Sequence, residues 1–154
     1  MSNAELLQTS RDAAKNTSAY KRISLLLDEG TFNEIDAFAK SGDSFAEVVT
    51  GFGAVNGCPA YVFAQNGDVD GGAMSKAQAM KIRKVYDLAV KTGAPVIGIY
   101  DSIGGRLSEG ADMMAAYGEI LLNSNNLSGV VPQISLVAGP CIGTSAMIAA
   151  SADI

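Results

Sequence analysis

The chain has 154 residues, of which 48% are hydrophobic and 18% are charged, and its formal net charge is −5. This length and composition predict one globular domain and exclude disordered and fibrous classes. The negative charge disfavours anionic membranes and nucleic acid, so no nucleic-acid partner is expected. The longest apolar run is far shorter than the roughly 20 residues of a spanning helix, and the start of the chain lacks a signal-like apolar core. We therefore expect a cytoplasmic protein.

The N-terminal part predicts two helical segments. Residues 1–17 are polar and rich in alanine, which indicates a loosely packed helix or arm. Ser18 is the predicted N-cap of the next helix, and Gly30 is its C-terminal stop. The apolar residues of this helix fall on one face: Ile23, Leu26 and Leu27. A helix of about three turns fits this spacing.

A β-hairpin is predicted in the first half of the chain. Residues 48–55 and 61–64 are strand-like apolar runs, and Asn56-Gly57 lies between them. Asn-Gly between two such runs is the strongest short-range signal for a hairpin turn. We therefore expect two antiparallel strands joined by this dipeptide.

After the hairpin the pattern changes to alternating helices and strands. Ser75 begins a capping box that ends at Gln78, and apolar residues then recur at helical spacing until Gly93. The later predicted elements are a strand at 95–100, a helix at 109–123, a strand at 133–137 and a helix at 145–152. This order predicts an α/β fold in which parallel strands are joined by right-handed crossovers, with ligands at the carboxyl ends of the strands.

Two glycine-rich turns, at residues 101–106 and 139–145, stand at these predicted strand ends. Each turn places backbone N–H groups at a strand-to-helix connection, where partial positive charge collects and a developing oxyanion can be bound. The chain contains no histidine, so acid–base catalysis by the protein itself is hard to build. The two turns are the predicted site of chemistry.

The two cysteines, Cys58 and Cys141, are far apart and lie among apolar or turn residues. Two buried thiols are therefore favoured over a disulfide. Residues 139–143 have the Gly-x-Cys-x-Gly spacing of a nucleophile elbow. Without histidine a catalytic triad has no base, so a structural role for Cys141 is favoured over a nucleophilic one.

A collinear set of motifs runs along the chain after Lys21. The motifs are Arg22-Ile23, residues 27–34, Gly51-Phe52-Gly53, Ala64-Gln65, Gly71-Gly72, Lys81-Ile82, Pro95, Asp101-Ser102, Gly104, Arg106, Glu109-Gly110, residues 131–135, Gly139-Pro140-Cys141 and Asp153. On these residues the sequence resembles the biotin-dependent acyl-CoA carboxyltransferases. That family includes the β subunits of propionyl- and acetyl-CoA carboxylases and subunits of methylmalonyl- and glutaconyl-CoA decarboxylases.

The resemblance implies an α/β fold of the crotonase-like type, a spiral of ββα units. It also implies that the chain is part of a longer protein with two such domains. We accordingly predict a helical arm at 1–20 and the first part of the N-terminal carboxyltransferase domain at 21–154. The remaining half of the carboxyltransferase, or a partner subunit that carries it, is then an expected partner in a homo- or hetero-oligomer.

The chemistry implied by the resemblance is carboxyl transfer between biotin and a short acyl-CoA through a thioester enolate. Biotin on a carrier protein is the implied cofactor and would supply the base, which accounts for the lack of histidine. Coenzyme A is part of the substrate, and no metal is expected. Carried over residue by residue, the amides of Gly143 and Thr144 bind the oxyanion, and Gly104 and Gly105 shape the opposite wall. The alternative is that these glycines only permit tight turns.

Basic residues are weaker candidates for the cofactor site. Four of them share one predicted helical stretch: Lys76, Lys81, Arg83 and Lys84. These side chains, Lys76 and Lys81 in particular, are candidates for contact with CoA phosphates, although a solvated polar face is favoured. Arg106 either contacts a phosphate or pairs with Glu109, and the pair is favoured.

The sequence departs from the family pattern at residues 66–67, 103–106 and 142–145. These departures leave the acyl group and the direction of the reaction open. Since the resemblance places biotin binding in the second domain, the chain alone is expected to be inactive. The alternative function is a noncatalytic crotonase-like scaffold that contributes half a site to a partner chain.

Overall fold

The computed structural model describes residues 3–41 and 44–154. The strands are β1 (Asn33–Ile35), β2 (Lys40–Ser41), β3 (Ser44–Phe45), β4 (Val48–Val55), β5 (Cys58–Gln65), β6 (Val96–Ser102) and β7 (Gln133–Cys141). The helices are α1 (Asn3–Lys15), α2 (Ser18–Leu26), α3 (Lys76–Thr92), α4 (Ala111–Leu127) and α5 (Thr144–Ala150). One sheet has the strand order β1-β4-β5-β6-β7, and β2 pairs with β3. Among the described helices, none combines the length and the apolar character needed to cross a membrane.

The antiparallel half of the sheet is the predicted hairpin. Val48 lies opposite Gln65 and Val55 opposite Cys58, so β4 and β5 pair along their full length. The turn between them is Asn56-Gly57, which confirms the prediction. β1 pairs antiparallel with the other edge of β4. The first residue of β4 therefore lies at the same edge of the sheet as the last residue of β5.

The other half of the sheet is parallel and confirms the predicted pairing. β6 pairs with β5 on one side and with β7 on the other, with Val96 beside Gln133. α3 and α4 form the two crossovers. α3 begins where predicted, because the Ser75 hydroxyl accepts a hydrogen bond from the Gln78 backbone N–H at 3.1 Å, and it ends at Gly93. The loops that follow β6 and β7 consequently lie at one edge of the sheet.

Two apolar layers hold the helices to the sheet. α3, α4 and α5 cover one face, where the rings of Tyr86 and Tyr100 meet Phe63 edge to face at centroid distances of 5.9 and 5.5 Å. α2 covers the opposite face, where Ile23 and Val62 are fully buried. Full burial of one such side chain contributes about 1.5–3 kcal/mol. The sheet is therefore packed on both faces, as in other α/β folds with parallel strands.

The start of α2 differs from the prediction by one residue. Thr17, and not Ser18, is the N-cap, because its hydroxyl accepts a hydrogen bond from the Tyr20 N–H at 3.4 Å. The Ser18 N–H instead donates to the Asp68 carboxylate at 2.6 Å. Ser18 is thus the first residue of α2, and its buried hydroxyl, the group that would cap the helix, has no hydrogen-bond partner among the described residues. The predicted boundary between arm and domain at residue 20 falls inside α2 and stays a prediction.

β7 is longer than predicted, and the cysteines are more exposed. β7 extends past residue 137 to Cys141, which pairs with Ser102 beyond a register shift. The glycine-rich turn predicted at 139–145 is therefore only the short connection between Cys141 and Thr144. Cys58 is exposed and Cys141 half-buried, and both are free thiols. The prediction that both are buried is wrong, because Cys58 directly follows the hairpin turn at the exposed end of β5.

Candidate active site

The loops after β6 and β7 meet at the carboxyl edge of the sheet. The Ile142 N–H donates to the Ser102 carbonyl at 3.2 Å and ties the second loop to the first. One groove of about 630 Å³ lies between these loops and α4. The four predicted site residues all line it: Gly104, Gly105, Gly143 and Thr144. The structure therefore brings together the two turns that the sequence singled out.

The rest of the groove is apolar. Its other lining residues are Met113, Met114, Tyr117, Gly118, Leu121 and Ile142. None of the described residues that line it carries a charge. An apolar site of this kind strengthens the electrostatic interaction between a bound polar group and any hydrogen-bond donor that faces it.

Gly143 opens α5 with a backbone conformation that L side chains rarely adopt. Its φ is +66° and its ψ is −131°, a region in which glycine is tolerated at low cost. Within residues 3–41 and 44–154, the N–H groups of Gly143 and Thr144 make no hydrogen bond, and no side chain caps the helix. The first N–H groups of a helix have no internal acceptor. Two adjacent donors are therefore available to an acceptor bound in the groove.

The Gly104–Gly105 wall is held by hydrogen bonds. The Gly104 N–H donates to the Ser102 hydroxyl at 3.2 Å, and the Gly104 carbonyl accepts from the Met74 N–H at 2.8 Å. A Cβ atom on Gly105 would collide with the Met113 side chain. This wall consequently has a fixed shape and little room for a side chain.

Two hydroxyl groups lie behind the second loop. The Tyr117 hydroxyl is 3.1 Å from the Ser145 hydroxyl, and Ser145 is fully buried in the first turn of α5. Burial raises the pKa of Tyr117 above its ordinary value, so the phenol is neutral at physiological pH. The pair supplies hydrogen bonding and no charge. Sequence reasoning missed it, since nothing local links a tyrosine in α4 to a serine 28 residues later.

Cys141 precedes this loop as a half-buried thiol. Burial raises the pKa of the Cys141 thiol. The thiolate is the nucleophilic form of cysteine, and a raised pKa reduces its population at neutral pH. This environment supports the structural role that the sequence analysis favoured.

The predicted cofactor cations do not gather at the groove. Lys76 is exposed, and its ammonium is 3.6 Å from the Asp112 carboxylate. Lys81 is buried, with only 4% of its surface exposed, and its ammonium donates to the Val48 carbonyl at 2.7 Å. Desolvation by burial lowers the pKa of Lys81 to about 8. Lys81 therefore does not lie on the solvated helix face that the sequence predicts for it.

Arg106 lies in a cluster of carboxylates. Its guanidinium contacts Glu47 and Asp70 and is 3.7 Å from Glu109. The predicted pair with Glu109 is thus present, together with two partners that sequence reasoning missed. Their separation of 59 and 36 residues from Arg106 leaves no local signal in the sequence.

A second charged pair lies beside the first loop. The Asp101 carboxylate is 2.5 Å from the Arg22 guanidinium, which also donates to the Ala138 carbonyl at 3.2 Å. The Asp101 carboxylate fills the space that side chains at Gly67 and Gly139 would need. Sequence reasoning placed both charges within motifs but did not pair them, because they are 79 residues apart. The pair ties α2 to the ends of β6 and β7.

Comparisons with known proteins agree with this geometry. The family model for the carboxyl transferase domain matches residues 10–154. The propionyl-CoA carboxylase beta chain of Roseobacter denitrificans is 44% identical over 149 residues, which is 88% of this chain and 29% of that protein. The methylmalonyl-CoA decarboxylase subunit alpha of Veillonella parvula is 43% identical over 82% of this chain and 27% of that protein.

A solved structure shares the fold. The hexameric transcarboxylase 12S with methylmalonyl-CoA bound has a TM-score of 0.92 and 31% identity, over 98% of this chain and 34% of that one. The chain therefore spans 27–34% of the length of these three relatives. The likeness confirms the predicted crotonase-like α/β fold. On the family match and the shared fold, this chain belongs to the carboxyl transferase family, the biotin-dependent acyl-CoA carboxyltransferases that its motifs resemble.

Proposed function

We propose that this chain forms the acyl-CoA half of a carboxyltransferase active site, in which a carboxyl group moves between biotin and a short acyl-CoA. The observation that carries the proposal is the pair of N–H groups at Gly143 and Thr144, which have no acceptor in the described part of the chain and lie beside the apolar groove. Support comes from relatives named for propionyl-CoA and methylmalonyl-CoA, and from transcarboxylase 12S, which was solved with methylmalonyl-CoA bound.

The donors suit a thioester that becomes an enolate. Enolate formation places negative charge on the thioester oxygen, and two neutral N–H groups in an apolar groove stabilise that charge most when it is fully developed. The groove wall of Met113, Met114 and Leu121 accommodates a short aliphatic acyl group. The chain's own residues then bind the carbonyl and orient the α-carbon.

Biotin on a carrier protein is the cofactor in this proposal, and it supplies the carboxyl group and the base. The hydrogen-bond donors of the groove show whether the described residues could also bind the ureido group of biotin. Gly143 and Thr144 offer adjacent donors for one carbonyl oxygen, whereas a ureido group needs donors of its own. We therefore assign the thioester to this chain and the residues that bind biotin to the second carboxyltransferase domain.

The surface around the groove favours such a partner. Met114 and Ile142 line the groove and are 71% and 55% exposed. Contiguous exposed apolar surface marks protein contacts or ligand grooves. In this proposal the second domain covers these residues and completes the site within an oligomer.

Two measurements test the proposal, each made on this chain alone and on the assembled enzyme that contains the second domain. They are isothermal titration with propionyl-CoA and an assay of carboxyl transfer from carboxybiotin. We expect carboxyl transfer from carboxybiotin only in the assembled enzyme, and tighter binding of propionyl-CoA there than to the isolated chain. Carboxybiotin-dependent turnover by this chain alone contradicts the division of the site. A noncatalytic scaffold predicts that disruption of the Gly143 N–H leaves turnover in the assembled enzyme unchanged.

A further inference from the structure

We infer that Arg106 is a positioning residue that fixes the Gly104–Gly105 wall of the groove through Glu47 and Asp70, and that it does not bind a CoA phosphate. The inference rests on the proposed function of the groove. It assigns a role to the strongest charge cluster beside the site, which the chemistry of the thioester does not use directly.

The surroundings of Arg106 disfavour an anionic ligand. Its side chain is only 15% exposed, and the guanidinium contacts the carboxylates of Glu47 and Asp70, with that of Glu109 at 3.7 Å. Three carboxylates around one guanidinium leave an excess of negative charge. Like charge repels phosphate, so this corner of the molecule is unsuited to the phosphates of CoA.

Glu47 holds the cluster in place. It is fully buried, and its second carboxylate oxygen accepts a hydrogen bond from the Ser75 hydroxyl at 2.7 Å. Ser75 is also the N-cap of α3, where its hydroxyl accepts from the Gln78 N–H at 3.1 Å. A buried carboxylate held on both oxygens has one orientation, and it imposes that orientation on the guanidinium it faces.

The backbone links Arg106 to the groove. The Arg106 N–H donates to the Met74 carbonyl at 2.9 Å, and the Met74 N–H donates to the Gly104 carbonyl at 2.8 Å. Residues 104–106 are thus clamped to Met74 by a short parallel bridge. The Arg106 guanidinium, held by Glu47 and Asp70, fixes the end of this bridge. Loss of the guanidinium therefore lets Gly104 and Gly105 shift toward the space that the thioester occupies.

A positioning role and a phosphate-binding role affect different kinetic constants. A phosphate contact acts on the part of the substrate that does not react, so its loss raises the KM of the CoA thioester. A displaced groove wall misplaces the reacting carbonyl, and a misplacement of about 1 Å costs about 10²-fold in rate. Loss of Arg106 should then lower kcat and leave KM little changed.

The experiment compares Arg106→Gln in the assembled enzyme on two substrates, propionyl-CoA and propionyl-pantetheine, which lacks the phosphates. We expect kcat to fall about 10–100-fold and by the same factor on both substrates, with KM within about threefold. The kcat of Arg106→Lys should lie between those of the wild type and Arg106→Gln, because lysine keeps the positive charge but loses the planar guanidinium that contacts two carboxylates. Arg11→Gln, a matched change at an exposed position of α1, should leave both constants unchanged.

The contrary outcomes are distinct. A rise in KM on propionyl-CoA, with no change on propionyl-pantetheine, identifies Arg106 as a phosphate ligand and overturns the inference. Unchanged kcat in a folded Arg106→Gln enzyme overturns it as well. A wild-type assembled enzyme that transfers no carboxyl group overturns the proposed function instead, before Arg106 is tested.

Asp70→Asn keeps the inference testable if Arg106→Gln does not fold. Its side chain is 60% exposed, so we expect the fold to be retained, as checked by circular dichroism. The expected result is a fall in kcat of about 3–10-fold with unchanged KM, the effect of a modest misplacement. No change in kcat for this folded variant overturns the role of the cluster.

Discussion

The two glycine-rich loops of the groove have similar composition but differ in hydrogen bonding: among the described residues of the first only the Gly105 N–H has no acceptor, whereas the second has two adjacent N–H groups without one. In the loop after β6, the N–H and the carbonyl of Gly104 are both bonded, to Ser102 and Met74. In the loop after β7, the N–H groups of Gly143 and Thr144 have no acceptor within the described part of the chain. Glycine content alone therefore does not identify an oxyanion-binding loop. The difference lies in which backbone groups the rest of the fold has already used.

This difference supports a separate role for each loop in the proposed active site. The first loop is a frame, held by Arg106 and by the bridge to Met74. The second presents donors, because α5 begins at Thr144 without a capping side chain. Loss of a donor in the second loop should therefore change catalysis directly, and loss of Arg106 should change it through the shape of the first loop. A side chain that only crowds Asp101, beside the first loop, should change stability.

The largest expected effect is at Gly143. Gly143→Pro removes one N–H donor and imposes φ near −65° where the chain has +66°. Turnover of the assembled enzyme should fall about 10²–10³-fold, the range for loss of one oxyanion donor. Steady-state rates with propionyl-CoA measure this, with circular dichroism as the check on folding. Gly143→Ala is the matched control, since it keeps the N–H and should lose less activity than the proline variant. Equal activity of Gly143→Pro and wild type would remove the donor role of this loop.

A smaller effect, on stability, is expected at Gly139 in β7. A Cβ atom there would collide with the Asp101 carboxylate, which is already held by Arg22. Gly139→Ala should lower the free energy of unfolding by about 1–3 kcal/mol, as overpacking does. Thermal unfolding of the purified chain measures the change. Gly118→Ala, in α4 with open space around it, should instead raise stability by about 0.5–1 kcal/mol. A Gly139→Ala variant as stable as wild type would mean that Asp101 moves aside freely.

The smallest effects are expected from Thr144→Ala and Cys141→Ser. Thr144→Ala keeps the backbone N–H, and the Cys141 thiol has a raised pKa in the chain and no histidine to activate it. Both variants should retain turnover within about threefold, a difference of less than 1 kcal/mol in activation free energy. Rate measurements beside Gly143→Pro make the comparison direct. Loss of activity in Cys141→Ser with retention in Gly143→Pro reverses the assignment, because that order indicates a cysteine nucleophile.

Local sequence signals predicted the elements that local contacts determine. Asn56-Gly57 predicted the hairpin, and Ser75 with Gly93 predicted both ends of α3. The family resemblance identified Gly104 and Gly143, which the structure places at one groove. These features depend on backbone geometry within a few residues or on motifs long enough to be specific.

Long-range pairs could not be predicted in the same way. The partners of Arg22 and Arg106 are brought close only by the order of the strands. The burial of Lys81 had a signal, because it lies one helical turn before the buried Val85 and next to the buried Ile82. The charge of Lys81 alone predicts solvent exposure, and its position on the buried face of α3 overrides that prediction. The Val48 carbonyl, which accepts its hydrogen bond, belongs to a distant strand.

Because the sheet contains both antiparallel and parallel strands, residues reach the edge that carries the groove from two directions. In a wholly parallel sheet, every residue at the ligand edge follows a strand. Here β4 runs the other way, so the residue before its first position, Glu47, arrives at that same edge from the opposite direction. The fold therefore delivers a buried carboxylate to Arg106 from a segment that belongs to neither glycine-rich loop. Substitutions in either loop can therefore leave the position of this carboxylate unchanged, because neither loop carries it.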